Sequence, residues 1–153
     1  MLSKKAKYGL QALLQLAEQF GHGSVMISDL AAKQQIPKKF LEQILLELKN
    51  AGILQSRSGK GGGYSLNRAP QQVTFGQVIR VLDGPIAPVP CVSKTAYTQC
   101  TECADEATCA IRLVMADVRE AISNILDRTT LSEALERSRT AALHAAGLVS
   151  YQI

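Results

Sequence analysis

The chain has 153 residues, 46% of them hydrophobic, enough for one domain of ordinary size with an appended helical arm. No apolar run approaches a membrane span, and Met1-Leu2-Ser3-Lys4-Lys5 leads into no uninterrupted apolar core, which argues against membrane and secreted classes and for a cytoplasmic location. The net charge of +4 is uneven: residues 1–84 hold 11 Lys and Arg against 5 Asp and Glu, whereas residues 85–153 hold 6 against 8, so only the first half favours a polyanionic partner.

From Lys5 to Phe20, apolar residues at Leu10, Leu13, Leu14, Ala17 and Phe20 recur at helical spacing, and Gly21 and Gly23 end the run. Ser28 is placed to cap a second, short helix through Leu30, Ala31 and Ala32, with its last turn near Gln35. Pro37 suits the first turn of a third helix, where a missing N–H is harmless. That helix carries Phe40, Leu41, Ile44, Leu45 and Leu48 on one face and Lys38, Lys39, Glu42, Gln43 and Glu47 on the other, with Gly52 as its C-terminal cap. Two β-prone runs, Ile53 to Ser56 and Tyr64 to Leu66, flank the loop Arg57-Ser58-Gly59-Lys60-Gly61-Gly62-Gly63. Thr74-x-x-Gln77 is a capping box, stapled by Val73 and Val78, that opens a helix from Phe75 to about Leu82. Gly84-Pro85 stops it.

Residues 85–108 show no period and form a loop holding Cys91, Cys100 and Cys103. After Cys109 a long helix presents Ile111, Val114, Val118, Ile122 and Ile125 at steps of three and four, a stripe suited to a partner helix. Thr130-x-x-Glu133 is a second capping box, opening a last helix through Leu135 toward Leu143. The expected organisation is therefore mainly α: a winged helix-turn-helix unit at 1–84, a cysteine loop at 85–108, dimerisation helices at 109–146 and a loose tail at 147–153.

Helix, short helix, turn, third helix and a Gly-tipped hairpin is the order of a winged helix-turn-helix. A third helix enters the major groove only if one face packs on its domain and the other offers donors and acceptors to base edges. Arg57 and Lys60 flank a loop nearly free of side chains and so can approach phosphates or a minor groove. The expected contacts to double-stranded DNA are Lys5, Tyr8, Ser28, Lys38, Lys39, Phe40, Glu42, Gln43, Arg57, Ser58, Lys60, Gly61 and Gly62. The glycines make no nucleotide-binding loop, because G-x-x-x-x-G-K-[ST] is absent and a strand follows instead of a helix.

The four cysteines, Cys91, Cys100, Cys103 and Cys109, are the only ones in the chain and are spaced C-x8-C-x2-C-x5-C. In a reducing compartment such grouping points to metal ligands or reactive thiols over structural disulfides. An iron–sulfur cluster, [2Fe–2S] or [4Fe–4S], is held by thiolates and is the leading assignment. Zinc is a second, although only Cys100-x2-Cys103 is a close pair. Bare thiols switching by oxidation, with no cofactor, are the third.

Lys7-Tyr8 in the first helix, Phe40-Leu41-Glu42-Gln43 in the third and Arg57-Ser58-Gly59-Lys60-Gly61-Gly62-Gly63-Tyr64 at the hairpin resemble the bacterial family of iron–sulfur cluster regulators and their relatives. That family includes iron–sulfur biogenesis, nitric-oxide-sensing and cysteine-metabolism repressors. The resemblance implies a homodimer built through the long helix and seated on a palindromic operator, base reading by Glu42, and minor-groove entry near Arg57 and Lys60. The cysteines depart from the family's usual pattern: Cys103-x5-Cys109 matches its last pair, Cys91 lies further upstream, Cys100 is extra, and Arg112 stands where the biogenesis repressor has a ligating histidine.

The reading is therefore a dimeric, cofactor-responsive transcription regulator, with no enzymatic constellation in view. Its alternatives are a cluster-free regulator of sulfur metabolism acting through thiols or a partner protein, and an iron–sulfur carrier using the helix-turn-helix as an interaction fold.

Overall fold

The structure, a computed structural model, describes residues 2–147; the tail expected beyond Gly147 lies outside the described residues. Ser3 caps α1 (Lys4–Glu18), its Oγ accepting the Ala6 N–H at 3.0 Å. The helix stops short of Phe20, contrary to the periodicity. Turns closed by Phe20 N–H to the Ala17 carbonyl and His22 N–H to the Gln19 carbonyl, with Gly21 at φ 84°, leave Phe20 45% exposed.

α2 (Ile27–Gln34) is capped by Met26, not Ser28. The reason is tertiary. Val25 exchanges two backbone hydrogen bonds with Tyr64, at 2.9 and 2.8 Å, which holds the chain extended up to Met26 and puts Ser28 inside the first turn. Gln35, at φ 54°, then lets the Ile36 N–H reach the Ala31 carbonyl, which buries Ile36 and makes the helix-turn-helix corner. In α3 (Lys38–Asn50) Pro37 is the N-cap residue, one place earlier than expected. Gly52 at φ 76° closes the far end, with the Ile53 N–H on the Leu48 carbonyl.

β1 (Leu54–Arg57) and β2 (Gly63–Leu66) form an antiparallel hairpin in register Leu54↔Leu66 and Arg57↔Gly63. α4 (Phe75–Asp83) opens on the Thr74/Gln77 capping box, with Val73 and Val78 fully buried beside it. A short 3-10 turn at Pro90–Val92 interrupts the following loop. α5 (Ala110–Arg128) and α6 (Leu131–Ala145), the latter on the Thr130/Glu133 capping box, complete the chain.

The core gathers Leu13 and Leu16 of α1, Leu30 of α2, Leu41, Ile44, Leu45 and Leu48 of α3, Val78 of α4 and Leu131 of α6. Leu131 is fully buried because the strand-like stretch before α6 is zipped to the entry of α4: Phe75 N–H donates to the Thr129 carbonyl and Leu131 N–H to the Val73 carbonyl, each at 2.9 Å. The start of α6 thus belongs to the core of the winged unit. α5 is the opposite case and buries no residue. Its apolar stripe lies open, with Ile111 69%, Val114 56% and Ile125 62% exposed. Among the described residues no helix is long and apolar enough to cross a membrane.

Candidate nucleic-acid interface and thiol cleft

α3 divides as its sequence demands. Leu41, Ile44, Leu45 and Leu48 face inward, while Lys38, Lys39, Glu42 and Gln43 stand exposed around its N-terminal turns. Phe40 is half-buried and packs edge-on against Tyr8, with ring centroids 5.7 Å apart, so this pair joins α1 to the start of α3. Lys5 also works within the fold, its Nζ lying 2.7 Å from Glu47 Oε2 on α3. Ser28 is exposed in the first turn of α2.

At the hairpin tip Arg57, Ser58, Lys60 and Gly61 are exposed, and Gly62 is buried beneath them. The glycines have separate steric reasons. Gly59 and Gly61 adopt φ of 84° and 76°, where a β-carbon is strained. A β-carbon on Gly62 would stand 2.4 Å from the Arg57 carbonyl oxygen. On Gly63, at φ 141°, it would stand 2.2 Å from the carbonyl oxygen of Val25. The sequence did not reveal that last contact, because Val25 lies outside any strand-like run and pairs with Tyr64 only through the tertiary fold.

All four cysteines line one cleft of about 760 Å³ between the 89–105 segment and the start of α5. Cys91 is buried in the 3-10 turn, while Cys100, Cys103 and Cys109 are half-exposed. Cys109 is the N-cap residue of α5. Its thiol is pulled below the ordinary value, first by the backbone N–H of Arg112, then by a hydrogen bond from Cys103 and by the Ile111 N–H and Arg112 charge. Cys103 donates to the sulfur of Cys109 across 3.7 Å and lies beside Cys100; these two neighbours push its own thiol up to about 12. A polarised pair results, with the more acidic thiol at the helix end and the less acidic one on the loop.

Glu106 tethers the loop. The Tyr97 hydroxyl donates to both carboxylate oxygens, at 2.9 and 2.8 Å, and the Cys100 N–H to Oε1 at 3.4 Å. Accepting that proton raises the Tyr97 hydroxyl above its usual value. No sequence signal marks these partners, which sit nine residues apart in a stretch without period. The donor set of the cleft, four thiols with a guanidinium beside them, fits an iron–sulfur group, whose irons take thiolates. Among the described residues no three His, Cys, Asp or Glu side chains are gathered closely enough to hold a metal ion of any kind.

A winged helix-turn-helix with an exposed third-helix face and a basic, glycine-tipped wing defines a protein of the DNA-binding class. The chain matches the Rrf2 family, Iron-dependent Transcriptional regulator, over residues 2–137, and it belongs to that family. It is 43% identical over 145 residues to an rrf2-like HTH-type regulator of Rhodobacter capsulatus, covering 93% of this chain and 97% of the relative. It is similar to the solved structure of CymR, the global cysteine regulator of Bacillus subtilis, with TM-score 0.75 and 33% identity over 90% of this chain and 97% of that one. The structure of IscR from T. potens superposes with TM-score 0.74 at 30% identity, over 92% and 90% of the two chains. The protein is a DNA-binding transcriptional regulator and not an enzyme.

Proposed function

We propose that the protein acts in the cytoplasm as a homodimeric repressor on a palindromic operator, and that the state of Cys91, Cys100, Cys103 and Cys109 sets its affinity. Lys38, Lys39, Glu42 and Gln43 face the major groove, and Arg57, Ser58, Lys60 and the wing backbone face the phosphates or minor groove. The observation carrying this reading is the position of the thiol cleft at the N-cap of α5, the helix whose apolar stripe is left exposed. A second copy covers that stripe and sets two third helices apart at about one helical turn of DNA, about 34–36 Å. The four cysteines hold an iron–sulfur cluster, which when bound supplies an iron- and redox-sensitive tie between the loop and α5. Arg112 and the N-terminal peptide groups of α5 stabilise the thiolates.

The test is operator binding by protein purified without oxygen, with its absorption spectrum recorded first. A coloured, dimeric protein whose operator affinity changes on cluster removal and in Cys109→Ala supports the reading. A colourless protein with unchanged operator affinity in that variant overturns it.

One observation favours a second reading. The polarised Cys103–Cys109 pair suits a dithiol that a hydroperoxide oxidises to a disulfide, the two thiols losing two protons and two electrons as the peroxide O–O bond breaks to water and an alcohol. The role of CymR as a global cysteine regulator accords with a thiol-linked signal. Under this reading the anaerobic protein is colourless, and peroxide alone alters operator binding.

A further inference from the structure

Beside the thiol cleft lies a smaller one, of about 220 Å³, between α5 and the 91–97 segment. Its walls include Ser93, Lys94 and Tyr97 from the segment and Arg112, Ala116 and Arg119 from successive turns of α5. Arg112 and Arg119 are seven residues apart and share a face, about a quarter-turn of the helix away from the exposed apolar stripe.

Three cations meet there with one carboxylate to answer them. Glu120 takes both Lys94 and Arg119, each at 3.1 Å. The neighbouring carboxylates are engaged elsewhere, Glu106 by Tyr97 and Cys100 and Asp127 by Arg80. Arg112 makes no ion pair among the described residues. The Nε atoms of both arginines are buried without a hydrogen-bond acceptor, and the Arg119 side chain is only 13% exposed. A buried charged donor left unpaired is costly, and such groups mark a missing acceptor. Ser93 Oγ accepts the Ala96 N–H and keeps its own proton to donate.

We propose that this cleft binds a small oxyanion: a carboxylate, sulfate or phosphate held by Arg112, Arg119 and Lys94. Planar guanidinium forks match such groups. The volume lies below that of sites for drug-sized molecules, which restricts the ligand to an inorganic ion or an acid of a few carbons. Cys91 and Arg112 line both clefts, so an occupant here borders the cysteines directly at Cys91 and through the Arg112 side chain.

Calorimetric titration of the full chain at constant ionic strength tests the site, with sodium sulfate, sodium phosphate and sodium succinate as separate probes against a chloride background. The expected result is one saturable site per chain for at least one probe, the probe identifying the inorganic or organic source. Arg119→Met and Lys94→Gln weaken it about tenfold or more, and Arg139→Gln, an equal loss of charge on α6, leaves it unchanged. Circular dichroism checks each variant. Should Arg119→Met not fold, Lys94→Gln decides, since that side chain is 67% exposed. Absence of saturable binding by all three probes, undiminished binding in Lys94→Gln, or equal loss in Arg139→Gln overturns the proposal.

Discussion

Gly63 combines a φ of 141° with a backbone oxygen 2.2 Å from where a β-carbon would stand, and the obstructing Val25 is itself pinned by Tyr64. A carbonyl cannot swing aside as a side-chain end can. Gly63→Ala should therefore lower unfolding free energy by about 1–3 kcal/mol, measured in urea, and weaken operator binding through a displaced wing. The exposed residues proposed to face DNA predict a contrast. Glu42→Ala should relax discrimination at one base pair by about 1–3 kcal/mol, read from a panel of mutated operators. Lys60→Gln should weaken all duplexes alike and reduce the salt slope by about 1. At this scale the sequence was most readable where a residue acts on its own neighbours, as the Thr74/Gln77 and Thr130/Glu133 boxes do. It assigned Lys5, Tyr8 and Phe40 to DNA and did not reveal their pairings within the fold, Lys5 with Glu47 across 42 residues and Tyr8 with Phe40.

Helices α4 and α5 are joined by Arg80 and Asp127, with guanidinium-to-carboxylate distances of 2.5 and 3.0 Å. Gly76 makes room for the pair, since a β-carbon there would collide with Asp127 Oδ1. Arg80 holds the Asp127 carboxyl below its ordinary value of 3.8. A carboxyl depressed on folding stabilises above its unfolded value, and the contribution fades as pH falls through the folded one. Asp127→Asn should thus cost a few tenths to about 1 kcal/mol near pH 7, small because the side chains are 36% and 44% exposed. The gap between variant and parent should close on acid titration, followed by thermal unfolding at stepped pH. Element types and order were legible from periodicity and caps. Boundaries moved where a distant segment intervened, as when Tyr64 drew the Val25–Met26 backbone straight and shifted the start of α2.

In the proposed dimer, Val118 and Ile122 occupy the middle of the α5 stripe, 37% and 39% exposed in the single chain. Each apolar side chain of this size gains about 1.5–3 kcal/mol on full burial, so five per subunit supply a sizeable interface. Val118→Glu with Ile122→Glu should leave the winged unit folded, because α5 contributes no buried residue to its core. The same change should yield a monomer in sedimentation and lose palindrome preference while retaining weak, salt-sensitive binding to any duplex. The stripe was legible because exposure and helical period agree. How the cysteines gather was not, since C-x8-C-x2-C-x5-C fixes only chain separation, and the loop path depends on Glu106 and the 3-10 turn at Pro90–Val92.

The Thr129–Leu131 seam gives α5 a fulcrum. One end of the 19-residue helix is stitched to the winged unit there, while the other begins at a sulfur. An arm of about 28 Å turning on that point swings by about 2° for each ångström its sulfur end travels. In the proposed dimer, a bond made or broken at Cys109 would thereby be geared into rotation of the rod that spaces two reading heads.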